Sequence, residues 1–288
     1  MGMDKMKLDA CGKINLMLNI SGVREDGYHT LETVMQTVSL HDVVEVRRRV
    51  QKGIALRCNL PYIPTDGRNI AWKAADCFIE RTGFDGGVEI DIRKTIPVGG
   101  GMAGGSTDAA AVLRGLNELC GCPMNEKALE EAALTLGADV PFCLKRGTYL
   151  CEGIGEIMTR LPDLPRCFIV VCKPRASVSS RSAYGVYDAW PSPRHIDAGR
   201  MIAGLQAKDL RAVAAAVGNS FEDPIGAECP EIPAIRQRLL EMGALNAAMT
   251  GSGSVVFGLF DDAGRAHKAK AALRASRYRT FCVRPVRR

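Results

Sequence analysis

A run of twelve residues, Pro97-Val-Gly-Gly-Gly-Met-Ala-Gly-Gly-Ser-Thr-Asp108, is the stretch most evidently shaped for chemistry. Gly99, Gly100, Gly101, Gly104 and Gly105 put five glycines within seven positions. Without Cβ atoms in the way, the backbone N–H groups of such a loop can converge on an anion, and a helix starting just after it adds partial positive charge. As a mere flexible connector the cluster would cost roughly 0.5–1 kcal/mol of chain entropy per glycine. The spacing therefore predicts a phosphate cradle. Three further segments carry compatible groups. Lys13-Ile-Asn15 sets a cation beside an amide. Gly137-Ala-Asp139-Val-Pro141 brings a carboxylate just past a helix end. Gly251-Ser252-Gly253-Ser254 forms a turn ahead of a strand. Taken singly, each has a plainer role: solvated strand residues, a helix cap, a tight turn.

Two common phosphate motifs fail on context. Gly99, Gly101 and Gly104 spell G-x-G-x-x-G, but the helix that follows leads to Gly121, Pro123 and another helix, not to the second strand that a dinucleotide fold requires. Gly99-x4-Gly104-Gly105-Ser106 resembles a P-loop with Gly105 in place of the lysine, so positive charge must come from elsewhere.

These groups need elements to hold them. Between Lys13 and Ile20, Ile14, Leu16, Leu18 and Ile20 alternate with Lys13, Asn15, Met17 and Asn19, which predicts a strand with one buried and one mostly polar face. Ser21–Tyr28 reads as a loop, and Val43–Arg49 and Val88–Ile92 as strands. Helices are expected over Asn69–Arg81, stopped near Gly83, over about Ser106–Cys120 before Gly121, and over about Asn125–Leu136 before Gly137. Leu161–Arg166, with its two prolines, looks like a linker. Beyond it come a strand (Phe168–Cys172), helices near Ser182–Trp190, Ile196–Val217 and Ile232–Met242, a strand (Ser254–Phe260), a helix (Asp262–Ala275) and a short final strand. The pattern gives two α+β halves meeting near residue 162.

Composition narrows the class. The chain has 288 residues, 47% hydrophobic and 24% charged, enough apolar mass for a folded core and too much for a disordered protein. Thirty glycines are about 10% of the chain, against a usual share of about 7%. The net charge of +6 gathers at Arg47–Arg49 and in a tail with Arg277, Arg279, Arg284, Arg287 and Arg288, which reads as a solvated rim and not as a nucleic-acid surface. An RNA-binding module would also interleave aromatic and basic residues, and no such pattern occurs. Eleven cysteines without a CxxC pair, and four histidines without zinc spacing, point to free thiols in a reducing cytoplasm. Neither a signal segment nor a membrane-spanning run is expected, and Met6 stands where a myristoylation motif needs Ser or Thr.

Taken in chain order, K-x-N, P-x-G-G-G-x-x-G-G-S-x-D-A-A, G-A-D-V-P and a late G-S-G resemble the GHMP small-molecule kinases. Residues 13–46, 97–113, 137–158 and 249–260 carry the likeness. Asp26-Gly-Tyr-His29 makes it similar in particular to the branch whose acceptor is a cytidine-diphosphate-linked methylerythritol. The resemblance implies an α+β, two-domain fold. A ribosomal-protein-S5-like domain would span residues 1–161, a ferredoxin-like α/β sandwich residues 162–288, with the active site in the cleft between them. It also implies ATP-dependent phosphorylation of the acceptor's 2-hydroxyl in the non-mevalonate isoprenoid route. Homoserine- or mevalonate-type kinases, or a non-catalytic nucleotide binder on the same fold, are the alternatives.

By the same resemblance, Asp139 is the catalytic base, and Lys13 stabilises the deprotonating hydroxyl and the transferring phosphoryl group. A lysine close to Asp139 would keep that acid ionised. Pro97, Val98, Gly99, Gly100, Gly101, Met102, Ala103, Gly104, Gly105, Ser106 and Thr107 wrap the ATP phosphates, and Asn69 lies toward the adenosine. Tyr28 and His29 hold the cytosine, Tyr184 supplies an opposing aromatic wall, and Asn15, Gly251 and Ser252 contact substrate. Mg²⁺ accompanies ATP, with Ser106 as its candidate ligand. Ala103 stands where glycine is usual and Thr107 where serine is commoner; both fit if the local φ is negative. The expected state is a cytoplasmic monomer or homodimer acting on a small molecule, with no nucleic acid or membrane partner.

Overall fold

The computed structural model describes residues 4–25 and 27–287; Asp26 and Arg288 therefore lie outside the described residues. In chain order the elements are β1 (Lys5–Val23), β2 (His29–Arg49), β3 (Gly53–Cys58), α1 (Ile70–Thr82), β4 (Gly87–Arg93), α2 (Gly104–Leu119), α3 (Glu126–Leu136) and α4 (Val140–Lys145). Then follow β5 (Thr148–Gly153), β6 (Ile157–Arg160), β7 (Phe168–Lys173), α5 (Ser180–Asp188), α6 (Ala198–Gln206), α7 (Leu210–Ala215) and β8 (Gly218–Asn219). The last are α8 (Glu222–Glu228), α9 (Glu231–Glu241), β9 (Asn246–Met249), β10 (Val256–Phe260), α10 (Ala263–Ala275) and β11 (Arg279–Val283). They form two units interleaved along the chain. The first takes the stretch ending at Gly12, His41–Ile96 and Ala103–Lys145; the second takes Lys13–Leu40, Pro97–Met102 and Arg146 onward.

In the first unit, β4 pairs in parallel with β3 and antiparallel with the Val43–Arg49 part of β2. Val88, Ile90 and Ile92 of β4 are buried as their alternation requires. Helix α1 starts where the Asn69 side chain accepts the Ala71 N–H and stops at Gly83 with φ +66°. It packs along α2 through Ala71, Ala74 and Ala75, and the alanines Ala109, Ala110 and Ala111 on α2 are buried too. Small side chains let helix backbones approach closely. Helix α2 begins at Gly104, two residues before the sequence-based start at Ser106.

In the second unit, β11-β7-β10-β9 form an antiparallel four-stranded sheet. Ile232, Ile235 and Leu239 of α9 and Ala266, Ala269 and Leu273 of α10 cover one face, against Val170, Cys172, Val256 and Phe260. This is the two-layer α/β sandwich expected for the C-terminal region. The rest of the unit pairs β2 over Leu31–Gln36 with β5, β5 with β6, and β1 in parallel with β8.

Two sequence expectations change. The alternate face of Lys13–Ile20 is not solvated: Lys13, Asn15, Met17 and Asn19 are all buried, so both faces of β1 are covered here. Period two shows which residues share a face, not what covers it. Ile196–Val217 is two helices, because Lys208 adopts φ +54° and Asp209 then caps α7 by accepting the Arg211 and Ala212 N–H groups. A Cβ on Gly204 would lie 2.8 Å from the Val213 nitrogen, so α6 and α7 fold back in close contact. β3, β5, β6, β8, β9 and α8 are elements beyond those read from the sequence. The basic clusters are used locally: Arg47 pairs with Glu45, Arg48 with Asp4, and Arg284 lies 5.1 Å over the Phe168 ring. Among the described residues, no helix is long and apolar enough to cross a membrane.

Asp209→Ala removes both capping bonds of α7 and is expected to cost about 1 kcal/mol. Thermal unfolding checks it, with a midpoint lowered by about 2–4 °C.

Candidate active site

In the second unit, Lys13 and Asn15 project from the same side of β1, as the alternation predicts. Lys13 Nζ donates to Asn15 Oδ1 at 2.7 Å, with the residues 4% and 1% exposed. Such a buried cation needs strong local acceptors. The asparagine is itself fixed: its Nδ2 donates to Thr33 Oγ1 at 2.8 Å, its N–H to Thr250 Oγ1 at 2.9 Å, and Thr33 Oγ1 donates to the Met17 carbonyl at 2.6 Å. Lys13 N–H reaches the Met102 carbonyl at 3.1 Å, which ties this strand to the end of the glycine loop.

The same unit shows why that loop is glycine. Gly101 has φ +75°, and a Cβ there would stand 2.2 Å from the Thr250 carbonyl oxygen. From the other side, Gly251 has φ +56°, and its Cβ would meet Gly101 oxygen at 3.0 Å. Two backbones cross in contact, so neither position admits a side chain. Gly100 accepts the Val255 N–H at 3.3 Å, and a Cβ on it would lie 2.6 Å from Val255 Cγ2. Asn219 Nδ2 holds the crossing from behind, donating to the Met249 and Gly251 carbonyls at 2.8 Å each. Lys173, at the end of β7, donates to the Pro174 carbonyl, the Ala176 carbonyl and Ser177 Oγ, and burial lowers its pKa. Ser177 lies against Gly99, and Ser252 Oγ is 3.1 Å from Ser180 Oγ at the start of α5. Val98 is exposed and Met102 buried.

His29 sits in an aromatic group. Its ring stacks on Tyr184 at 4.5 Å and 23°, meets Tyr187 edge-on at 6.1 Å, and its Nε2 is 2.7 Å from Asp188 Oδ1. Both tyrosines rest edge-on against Phe221. Rings in direct contact leave no gap for a third ring between them, so Tyr184 buttresses His29 here. Tyr28, 63% exposed, faces solvent beside them in sequence.

In the first unit, Ala103 is the N-cap of α2, with φ +57° and no side-chain cap. The expectation of a negative φ at this alanine is overturned: it takes the left-handed conformation despite its Cβ. The first-turn amides of α2 thus have no side-chain acceptor at the cap, the arrangement that suits an arriving anion. Gly104 and Gly105 follow. A Cβ on Gly105 would touch Ile70 Cγ2 at 3.3 Å, which places Asn69 and the start of α1 beside the start of α2. Asn69 spends its side chain on the α1 cap and on the Pro64 carbonyl, so contact with a nucleoside from this residue would be through its backbone. Thr107 Oγ1 donates to the Cys11 carbonyl at 2.7 Å, while Ser106 stays half-buried. Asp139 is half-buried immediately before α4, its carbonyl accepting the Cys143 N–H at 3.1 Å. Among the described residues no three His, Cys, Asp or Glu side chains gather as a metal cage. A magnesium ion carried on nucleotide phosphates needs no such cage, and a helix-start hydroxyl such as Ser106 fits that role.

Residues 69–147 match the GHMP kinases N-terminal domain, and residues 201–279 the GHMP kinases C-terminal domain. The chain belongs to the GHMP kinase family. A curated relative from Lachnospira eligens, 4-diphosphocytidyl-2-C-methyl-D-erythritol kinase, is 42% identical over 260 residues, covering 90% of each chain. A protein of the same name from Clostridium botulinum (strain Eklund 17B / Type B) is 39% identical across 98% of this chain and 100% of its own. A crystal structure of 4-(cytidine 5'-diphospho)-2C-methyl-D-erythritol kinase superposes with a TM-score of 0.83 at 34% identity, covering 97% of this chain and 99% of that one. A mevalonate kinase from L. major shares the fold at 16% identity and a TM-score of 0.78.

Sequence reasoning did not single out Thr33, Thr250, Asn219 or Lys173. A lone threonine in a strand reads as a β-former, and nothing local marks it as a hydrogen-bond partner of a residue far along the chain. Two substitutions in the loop have opposite expected signs. Gly101→Ala must displace the Thr250 backbone and destabilises by more than about 2 kcal/mol. Ala103→Gly removes a left-handed cost of about 1–2 kcal/mol, partly offset by unfolded-chain entropy, and raises the thermal midpoint by about 1–3 °C.

Proposed function

We propose that this GHMP kinase phosphorylates the 2-hydroxyl of a cytidine-diphosphate-linked methylerythritol with ATP; its curated relatives are named 4-diphosphocytidyl-2-C-methyl-D-erythritol kinases. The observation that carries the reading is the buried Lys13–Asn15 pair bonded to the end of a backbone-only glycine loop. It supplies the cation that the loop, lacking a P-loop lysine, does not contain. Phosphoryl transfer asks a protein mainly for positioning and charge stabilisation. The glycine-loop amides and the start of α2 hold the phosphates. Asp139 accepts the proton of the acceptor hydroxyl. The oxygen then bonds to the γ-phosphorus as the β–γ bridge bond breaks, and ADP leaves with the electron pair. Lys13 balances charge on the attacking oxygen and the transferring group, with Asn15 fixing its direction. Ser106 would help to hold a magnesium ion brought in with the nucleotide, which would offset phosphate charge. Tyr28 and His29 hold the cytosine, Tyr184 and Asp188 orient His29, and Gly251 and Ser252 line the acceptor side. A cytoplasmic monomer or homodimer serves this chemistry.

Incubation with the cytidine-linked acceptor, ATP and Mg²⁺ is expected to give a new phosphomonoester by phosphorus NMR. ADP release with homoserine or mevalonate and none with this acceptor would move the chain to another branch, and nucleotide binding without transfer to any alcohol would make it a binding protein. Asp139→Asn is expected to lower kcat by about 10²–10⁴ while ATP affinity stays within about twofold. Full activity in that variant would remove Asp139 from the role of base.

A further inference from the structure

In the second unit, three residues of α5 converge on one imidazole. Asp188 is the last residue of this helix, four positions after Tyr184 and one after Tyr187. At helical spacing Tyr184 and Asp188 share a face. Both meet His29, which opens β2: the imidazole stacks on Tyr184, and its Nε2 lies 2.7 Å from Asp188 Oδ1. Tyr187 closes on the same ring edge-on, and the buried Phe221 backs both tyrosines. The aromatic rings fix the plane of the imidazole. The carboxylate fixes which of its nitrogens is engaged. For the helix itself that acid is badly placed, because a negative charge at a C-terminus opposes the helix dipole and the last turn of α5 holds no basic residue.

A carboxylate accepts and does not donate, so Nε2 supplies the proton of the Asp188 bond. In the neutral ring Nδ1 then carries a lone pair and can only accept. Among the described residues no hydrogen bond engages Nδ1, and it is not sealed from solvent, so it is open to a ligand. We propose that Asp188 is a specificity-determining positioning residue: by holding His29 in the Nε2–H tautomer it presents a hydrogen-bond acceptor at Nδ1, which selects cytosine over uracil in the alcohol substrate. The proposal rests on the reading that His29 holds the cytosine. Cytosine carries an amine, a donor, at the ring position where uracil carries a carbonyl, an acceptor. Nδ1 accepts from that amine, whereas in the same pose the uracil carbonyl sets lone pair against lone pair. The opposite tautomer would reverse the preference. Discrimination of this kind is strong because the wrong base leaves polar groups unpaired.

The test compares the cytidine-linked alcohol with its uridine-linked analogue, by kcat/KM with ATP and by calorimetric binding without it, at about pH 8, where a free imidazole is neutral. Wild type is expected to favour the cytidine compound by about a hundredfold or more. In Asp188→Leu the ratio should fall below about tenfold, through loss on the cytidine compound, while KM for ATP stays within about twofold. Asp188→Glu keeps the carboxylate and should recover part of the preference. Nitrogen-15 NMR of the imidazoles reads the tautomer directly; the chain has four histidines, and comparison with His29→Gln assigns the signal of interest. His29 is expected as Nε2–H in wild type and as a mixture of tautomers in Asp188→Leu. An unchanged cytidine-to-uridine ratio in Asp188→Leu overturns the proposal, as does an Nδ1–H tautomer in wild type. The Asp188 side chain is 54% exposed, so the variant is expected to fold. If it does not melt cooperatively, Asp188→Asn takes its place: an amide can donate to Nε2 as well as accept from it, and the ratio should fall there too. Phosphate transfer to both compounds at equal rates would leave the kinase reading standing and remove the role of Asp188. Binding that favours the cytidine compound and depends on Asp188, without transfer, would keep that role and count against the kinase reading.

Discussion

The contact between the backbones at Gly101 and Thr250 constrains much of the second unit. With the site of a Cβ only 2.2 Å from a carbonyl oxygen, the loop can pass there only as glycine and only in the left-handed region. Once that crossing is made, Gly251 must also be glycine, and the Thr250 side chain comes within reach of Asn15. The buried strand and the glycine loop then share one hydrogen-bond network.

The network is what makes the polar interior tolerable. Lys13, Asn15, Thr33, Thr250 and Asn219 are all buried, and each has a partner at short distance. A buried polar group left unsatisfied costs about 1–3 kcal/mol, so the network is stable as a set and fragile to single deletions. The same connectivity holds the Lys13 side chain in one direction.

The first unit meets a different demand. Helix α2 offers its amide end without a side-chain cap, and Ala103 bears left-handed strain just before it. Such strain persists only where surrounding contacts fix the backbone. Lys94, donating to Asp42, Asp108 and the Gly104 carbonyl, and Asp42, accepting the Thr95 and Ile96 N–H groups, are the rigid base on either side of that strained stretch. The left-handed conformation of Ala103 is thus borne by the backbone despite its Cβ.

The sequence by itself determined what depends on near neighbours. Asn69 and Gly83, Asn125, and Asp262 mark helix ends because caps act within a few residues, and they stand where the structure uses them. Period two put Lys13 and Asn15 on one side of β1, and the clustered glycines marked the loop. The tertiary structure alone decided what covers each face. It buried the polar side of β1, joined Asn15 to Thr250 across 235 positions, and drew Asp42, Lys94 and Asp108 together from three separate segments. It also interleaved the two units along the chain and gave Ala103 its positive φ. Local patterns report propensity and facing, whereas burial, long-range hydrogen bonds and strain depend on atoms that the chain brings near only by folding.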